Sequence, residues 1–190
     1  PMPNSPNIYY VFTVSNWPKT GAGAGLFYSI VDMNLDNGNG GVTLKNDLLN
    51  VSVREQVSSV YHENCRDIWI VSHEKGNNNN FLAYLLTPAG LQKTPIISPV
   101  GMTYNGGNRF GYLRFSSVGS KLCSTLGYAI TGASSVITVQ LFDFDISTGT
   151  VSNPITLSDA NFIRNAYSSE FSADNTKLYV TAYNAAFIYQ

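Results

Sequence analysis

Short runs of alternating apolar and polar residues follow one another along the chain, and turn residues separate them. One such run recurs four times after a turn, at Asn7 to Val11, Asp67 to Val71, Lys121 to Thr125 and Lys177 to Thr181. Their first residues are separated by 60, 54 and 56 positions, which is a period typical of repeat proteins. A repeat of this length that contains only strands predicts a propeller blade.

Each full period divides into four predicted strands, because every run has strand length and every break has turn chemistry. In the third repeat these strands are 110–116, 121–129, 137–145 and 151–157, and in the second they are 57–62, 67–73, 81–86 and 94–98. The first repeat shows only the second to fourth strands, at 7–11, 26–34 and 42–49, and the last shows only the first three, at 168–172, 177–182 and 187–190. The pattern therefore predicts an all-β protein of four-stranded antiparallel blades.

The predicted fold is one β-propeller segment over residues 1–190, with blade parts 7–49, 56–98, 110–158 and 167–190. Two full blades are flanked by two partial blades, which makes an incomplete arc. Since blades bury their faces on their neighbours, an open arc would expose apolar faces at both ends. We expect the remaining blades to come from a longer chain of the same protein. Completion by a second copy or by another protein is the alternative.

The charge balance argues against two classes of partner. Lys and Arg number 11 and Asp and Glu 12, so the chain has no broad basic field to hold nucleic acid or an anionic membrane surface. No apolar run approaches the roughly 20 residues that span a bilayer, so no membrane insertion is expected. The first residues lack the charged and apolar regions of a signal peptide, which suggests a processed or truncated start.

The residues that usually indicate chemistry predict neither a metal site nor a cofactor. The two histidines, His62 and His73, lie at strand ends that should be on opposite faces of the propeller, and no Cys-x-x-Cys or His-x-x-x-His spacing occurs. Cys65 and Cys123 occupy positions that are not equivalent in neighbouring repeats. A disulfide between them is possible, but two separate thiols are favoured.

Several stretches resemble a known family of repeats. They are 26–33 (Leu-Phe-Tyr-Ser-Ile-Val-Asp-Met), 40–49, 67–74 with 81–84, 142–149 with 154–157, and 170–180. They resemble the propeller repeats near the start of large surface proteins of gliding Bacteroidetes. The resemblance implies an adhesive or display role at the outer cell surface and export by the type IX secretion machinery, although the sorting domain that this machinery reads is not among these residues. It implies no catalytic residues, because the family has none that are agreed.

The candidate binding surface is the upper face of the propeller, which is formed by the loops from second to third and from fourth to first strands. These loops vary in length while the strands repeat, as expected of a recognition surface on a rigid scaffold. The candidate ligand-binding residues in or beside them are Trp17, His73, Tyr104, Arg109, Arg164 and Tyr183. Aromatic rings stack on sugars or peptide side chains, and arginine donates directed hydrogen bonds.

The sequence thus predicts a secreted or surface-anchored bacterial binding module that takes a glycan or a protein and is not an enzyme. One alternative is a propeller hydrolase or lactonase, in which His73, Glu74 and Arg109 meet in the central pocket. The other alternative is a structural spacer that holds adhesive domains away from the cell.

Overall fold

The computed structural model of the protein describes residues 1–15, 24–104, 110–127, 138–157, 166–182 and 188–190. Within these ranges the chain forms four antiparallel β-sheets, and the helical structure there consists of one 3-10 turn at Asp36–Gly38. The all-β class and the antiparallel pairing predicted from the sequence are therefore confirmed. In the described ranges, no helix has the length and apolar character needed to cross a membrane.

Sheets I and II comprise the first half of the chain. Sheet I has the order β1 (Ile8–Val14), β2 (Leu26–Asp32) and β3 (Gly41–Asn50). Sheet II contains β4 (Val53–Tyr61), β5 (Ile68–Glu74), β6 (Asn78–Thr87), β7 (Gly90–Leu91) and β8 (Ile96–Tyr104), with β7 and β8 both paired to β6. Each strand therefore pairs with a strand that is close to it in sequence, as in an antiparallel meander.

Sheets III and IV comprise the second half. Sheet III has four strands in chain order, β9 (Phe110–Phe115), β10 (Lys121–Gly127), β11 (Thr138–Asp145) and β12 (Thr150–Thr156). Sheet IV contains β13 (Ala166–Phe171), β14 (Leu178–Ala182) and β15 (Ile188–Tyr189). The strands β1, β5, β10 and β14 coincide with the four recurring runs of the sequence.

A similar turn leads into each of these four strands. Its closing hydrogen bond runs from the last residue before the turn to the first residue after it, and the four bonds are Met2 N to Ile8 O (2.7 Å), His62 N to Asp67 O (2.8 Å), Ser116 N to Lys121 O (3.0 Å) and Ser172 N to Lys177 O (2.9 Å). Each turn contains one residue with positive φ, and these residues are Asn4, Cys65, Gly119 and Asn175. Asparagine and glycine suit such positions because they tolerate the left-handed region.

The first turn contains one more residue than the other three. Its hydrogen bond therefore makes Ile8, and not Asn7, the structural counterpart of Asp67, which corrects the alignment of the recurring runs by one position. Since side chains alternate between the two faces of a strand, one residue of offset exchanges the faces. Tyr10 and Phe12 accordingly line the groove that faces sheet II, whereas Tyr9 and Val11 are 39% and 45% exposed.

The hydrophobic core lies between successive sheets. The largest cluster joins sheets II and III, where the Phe81 and Phe142 rings meet edge to face at 4.8 Å between centroids. Within sheet III, Phe115 meets Phe144 in the same cluster at 4.9 Å. Leu26, Ile70 and Tyr84 belong to a second cluster between sheets I and II, and Cys123, Val139 and Val180 belong to a third between sheets III and IV. The four sheets therefore stack face to face in the order of the chain.

The first strands of the last three sheets also lie side by side. β4 contacts β9, and β9 in turn contacts β13. We call β4, β9 and β13 the inner strands. β4 and β9 run in the same direction, since Gln56 in the first half of β4 lies beside Tyr112 in the first half of β9, and Val60 near the end of β4 lies beside Gly119 in the turn that follows β9. In the same way Tyr112 lies beside Tyr167, and Arg114 forms an ion pair with Glu170.

Two predicted loops are partly strand. The segment 99–109 lies between the predicted strands 94–98 and 110–116 and was therefore predicted to be a loop. This prediction is wrong in its first half, because β8 continues to Tyr104 and pairs with Asn78. Gly101, at φ +87°, allows β8 to pass close to Phe142, and Met102 N donates to Gln140 Oε1 at 3.1 Å. The run Asn77 to Asn80, predicted to be a loop, mostly belongs to β6, which begins at Asn78.

Both cysteines are free thiols in the structure, and their environments differ. Cys65 is exposed, whereas Cys123 is fully buried in β10, and burial raises the pKa of its thiol to about 11. Because the thiolate is the reactive form, we expect a disulfide-exchange reagent to label one thiol rapidly in the native protein and both after denaturation. Rapid labelling of both thiols without denaturant, read by mass spectrometry, would contradict this burial.

Candidate functional site

The candidate site is the end of the sheets at which β5 finishes and β6 begins, which we call the upper end. Of the residues predicted to bind a ligand, His73 lies here as the penultimate residue of β5. Tyr104 is the last residue of β8, and its backbone pairs with Asn78 in the same region. Trp17, Arg109, Arg164 and Tyr183 lie outside the described residues. Their role in ligand binding stays a prediction.

His73 is part of the protein interior. Its side chain is 0% exposed, its ring meets Phe81 edge to face at 4.7 Å, and its Nδ1 lies 2.8 Å from the Glu74 carbonyl oxygen. Burial, with a smaller contribution from the positive charge of Arg54, lowers the pKa of His73 from 6.5 to about 4. The imidazole is therefore neutral near pH 7, and its Nδ1–H donates to the Glu74 carbonyl. Any effect of His73 on ligand binding would therefore be indirect, through the position of the Glu74 backbone carbonyl group to which it is hydrogen-bonded.

The pKa of His73 predicts a pH dependence of stability. The unfolded histidine titrates near 6.5 and the folded one near 4, so the unfolded state binds the extra proton between these values. Stability due to this group is complete above pH 6.5 and falls as the pH drops towards 4, by up to about 3 kcal/mol. In urea unfolding between pH 7 and 4, His73→Gln is expected to lose stability less steeply than the parent. Equal slopes for the two proteins would contradict the buried, neutral histidine.

Arg54 holds the connection between β5 and β6 in place by hydrogen bonds to its backbone. Its guanidinium is almost wholly buried, with the residue 3% exposed, and it donates to two carbonyl oxygens, that of Glu74 through Nε at 3.1 Å and that of Gly76 through Nη2 at 3.0 Å. The Ser52 hydroxyl donates to Lys75 O, and the Ser52 backbone carbonyl oxygen accepts from Lys75 N, both at 3.0 Å. Hydrogen bonds to charged donors are among the stronger ones, so this segment is rigidly supported.

Three asparagine side chains hold the start of β6. Asn80 Nδ2 donates to Glu74 Oε2 at 2.6 Å, Asn78 Nδ2 to Lys75 O at 3.2 Å, and Asn79 Nδ2 to Gly101 O at 3.1 Å. Asn77 is the exposed residue of this run. The connection 74–80 therefore presents the Asn77 side chain to solvent, and hydrogen bonds to neighbouring segments hold its conformation.

A second group of polar side chains forms hydrogen bonds between sheets II, III and IV. Gln56 is 1% exposed and donates from Nε2 to the Thr125 carbonyl oxygen at 2.8 Å. The Thr125 hydroxyl accepts Tyr112 N at 3.0 Å and donates to the Tyr167 carbonyl oxygen at 2.7 Å. These bonds run from sheet II through sheet III to sheet IV. They fix the relative positions of three sheets, because a buried amide or hydroxyl that lost its partner would be costly.

The sequence did not identify Arg54 and Gln56 as site residues. Both occupy alternating positions of β4, whose sequence Val-Arg-Glu-Gln-Val-Ser-Ser-Val-Tyr is largely polar, so no apolar pattern marked their side chains as buried. Among the residues that the structure describes, no group of three or more His, Cys, Asp or Glu side chains is arranged to hold a metal ion. The polar groups described at this part of the site are the buried Arg54 guanidinium, side-chain amides and backbone carbonyls.

No family model matches the chain, and no curated protein is significantly similar to it.

Proposed function

We propose that the four sheets are successive blades of a β-propeller, of which this chain forms an arc. The support is threefold: the sheets stack in chain order, the inner strands lie side by side in one direction, and a similar turn precedes β1, β5, β10 and β14. Radial repetition of small antiparallel sheets is the arrangement that would give these three features together. The remaining blades would belong to the same polypeptide or to a partner.

We further propose that the arc is a binding or display module of a secreted or surface-anchored bacterial protein, acting in adhesion or gliding. The observation that carries the proposal is that Ser52 and the buried Arg54 hydrogen-bond to the backbone of the connection 74–80. Recognition loops are usually held on a rigid scaffold in this way, since preorganisation lowers the cost of binding. In a meander of this topology, the described ends of β1, β10 and β14 correspond to the end of β5.

The ligand class that we propose is a glycan. The candidate residues Trp17, Tyr104 and Tyr183 offer rings for stacking on sugars, and the upper end adds the exposed amide of Asn77. Location at the outer cell surface and export by the type IX machinery are also part of the proposal. They rest on the resemblance of residues 26–33, 67–74 and 170–180 to the surface proteins of gliding Bacteroidetes.

A glycan array probed with the labelled protein tests the proposal. We expect binding to a defined subset of glycans, with an affinity at least tenfold weaker in the variants Trp17→Ala and Arg164→Ala. Arg66→Ala is the matched control, because Arg66 lies in the turn between β4 and β5 at the opposite end, with half of its side chain exposed. Circular dichroism melting establishes that each variant is folded. Absence of glycan binding, or an equal loss in the Arg66 variant, would overturn the proposal.

A further inference from the structure

The edge of β1 that faces away from β2 lacks the neighbour that its counterparts have among the described strands. β5, β10 and β14 each pair with two strands, one of which is an inner strand, whereas β1 pairs with β2 alone among the described strands. Met33 N donates to Asn7 O at 2.8 Å and Ser15 N to Gly25 O at 2.9 Å on the β2 side. Because backbone groups of an antiparallel strand alternate in direction, those of Tyr10 and Phe12 point to the open edge.

A groove follows this open edge. It has a volume of about 410 Å³ and lies between β1 and sheet II, with Tyr10 and Phe12 on one wall and Val57, Ile68 and Ile70 on the other. The corresponding position between sheets II and III is filled by β4, whose Val60 packs against the core cluster and whose Gln56 bonds to Thr125. The groove therefore lies beside β1 as β4 lies beside β5. It has apolar walls and an open backbone edge with which an inner strand of sheet I could pair.

The chain already enters the end of this groove. Met2 N donates to Ile8 O as His62 N does to Asp67 O, so Met2 is the counterpart of His62 and Pro1 is the counterpart of Tyr61, the last residue of β4. Pro1 lines the groove. A segment joined to Pro1 and extended like the other inner strands would run along the groove antiparallel to β1.

We propose that the groove seats one further extended strand of the same polypeptide, which pairs with β1 and joins the chain at Pro1. Counting back along β4, the residue joined to Pro1 corresponds to Val60 and the third one back corresponds to Ser58. These two positions lie opposite Tyr10 and Phe12 and face the apolar wall of sheet II. The strand therefore carries an apolar side chain nearest Pro1 and a small or apolar one two residues earlier. The inference rests on the proposed arrangement of blades and is independent of the glycan.

Residue-resolved amide exchange on an extended chain tests the inference. The probe is the protein with five residues added before Pro1, Gln-Val-Ser-Ser-Val, which copy residues 56–60 of β4. The control extension has proline at its third and fifth positions, which removes the two backbone donors opposite Phe12 and Tyr10. We expect the Tyr10 and Phe12 amides to exchange at least tenfold more slowly with the β4 copy than with the control. The Tyr9 and Val11 amides, which already face β2, should change less.

Two outcomes would overturn the inference. One is an equal exchange rate of the Tyr10 and Phe12 amides in both extended proteins and in the parent. The other is protection of these amides in the parent that increases with protein concentration, since a second copy would then occupy the groove. A failure of glycan binding would leave the exchange result unchanged, so the two proposals can fail separately.

Discussion

Replacing Gly111 by alanine is expected to lower the free energy of unfolding by about 3 kcal/mol, through overpacking and backbone strain. A Cβ at this position would fall well inside van der Waals distance of the Thr125 carbonyl oxygen and 3.1 Å from Gln56 Nε2. The carbonyl belongs to the backbone of β10, so relief requires β9 to move away from it. That movement would also disturb the Gln56 bond that joins sheets II and III.

Gly38→Ala is the matched control for this prediction. Gly38 also has positive φ, at +92°, but an added Cβ would meet no atom within 4 Å. Its expected cost is therefore that of the backbone conformation alone, about 1 kcal/mol. Urea unfolding of both variants, with the midpoint compared at an unchanged slope, measures the difference. Equal losses would mean that the contact between β9 and β10 is looser than the structure has it.

Truncation of Trp69 to alanine is expected to cost about 3–5 kcal/mol, the range found for buried large aromatic residues. The Trp69 residue is 4% exposed, and its indole lies edge to face with Phe144 at 6.5 Å between centroids. An added Cβ on Gly149 would lie 2.7 Å from the ring, which shows how closely the turn between β11 and β12 approaches it. Its Nε1 donates to the Ile146 carbonyl oxygen at 2.9 Å. One side chain therefore joins sheets II and III by packing and by a hydrogen bond.

Trp69→Phe separates these two contributions. Phenylalanine keeps most of the apolar contact but removes the donor, and Ile146 O retains a second partner in Glu63 N at 3.1 Å. We expect a loss of about 1–2 kcal/mol, the usual cost of a net hydrogen bond plus a small change in volume. A loss as large as that of the alanine variant would assign the stability to the hydrogen bond instead of the packing.

Much of the fold could be predicted from the alternation of residues and the turn chemistry between strands. The turns before β5, β10 and β14 were placed correctly, because their Asn, Asp, Ser and Gly residues favour turns. Gly119 and Asn175 take the positive φ before β10 and β14, whereas Cys65 takes it before β5. The turn before β1 was misread by one residue. Its extra residue leaves no mark on the alternation, since Tyr9, Tyr10, Val11 and Phe12 are all apolar and either face could be the inner one.

The polar part of the upper end was less predictable, for a physical reason. Asn77 to Asn80 have the composition of a loop, but three of these side chains find partners on neighbouring segments that local sequence does not reveal. His73, a candidate ligand-binding residue at the end of a predicted strand, is the buried neighbour of Phe81. Arg54 serves the site from an inner strand, where only the three-dimensional pairing of β4 with β5 brings it to Glu74 and Gly76. The positions of these side chains depend on burial and on partners that are distant in sequence, which local sequence patterns do not report.

Nuclear Overhauser contacts between side chains test the arrangement of the sheets most directly. In this arrangement four sheets stack in chain order, and their inner strands lie next to one another. We predict contacts between the rings of Tyr112 and Tyr167, whose centroids are 5.3 Å apart, and between the Gln56 side-chain amide and the strand pair β9–β10. We expect no strong contact that joins β4 directly to β13. Strong contacts between β4 and β13, or absence of the Tyr112 to Tyr167 contact in the folded protein, would contradict the arrangement.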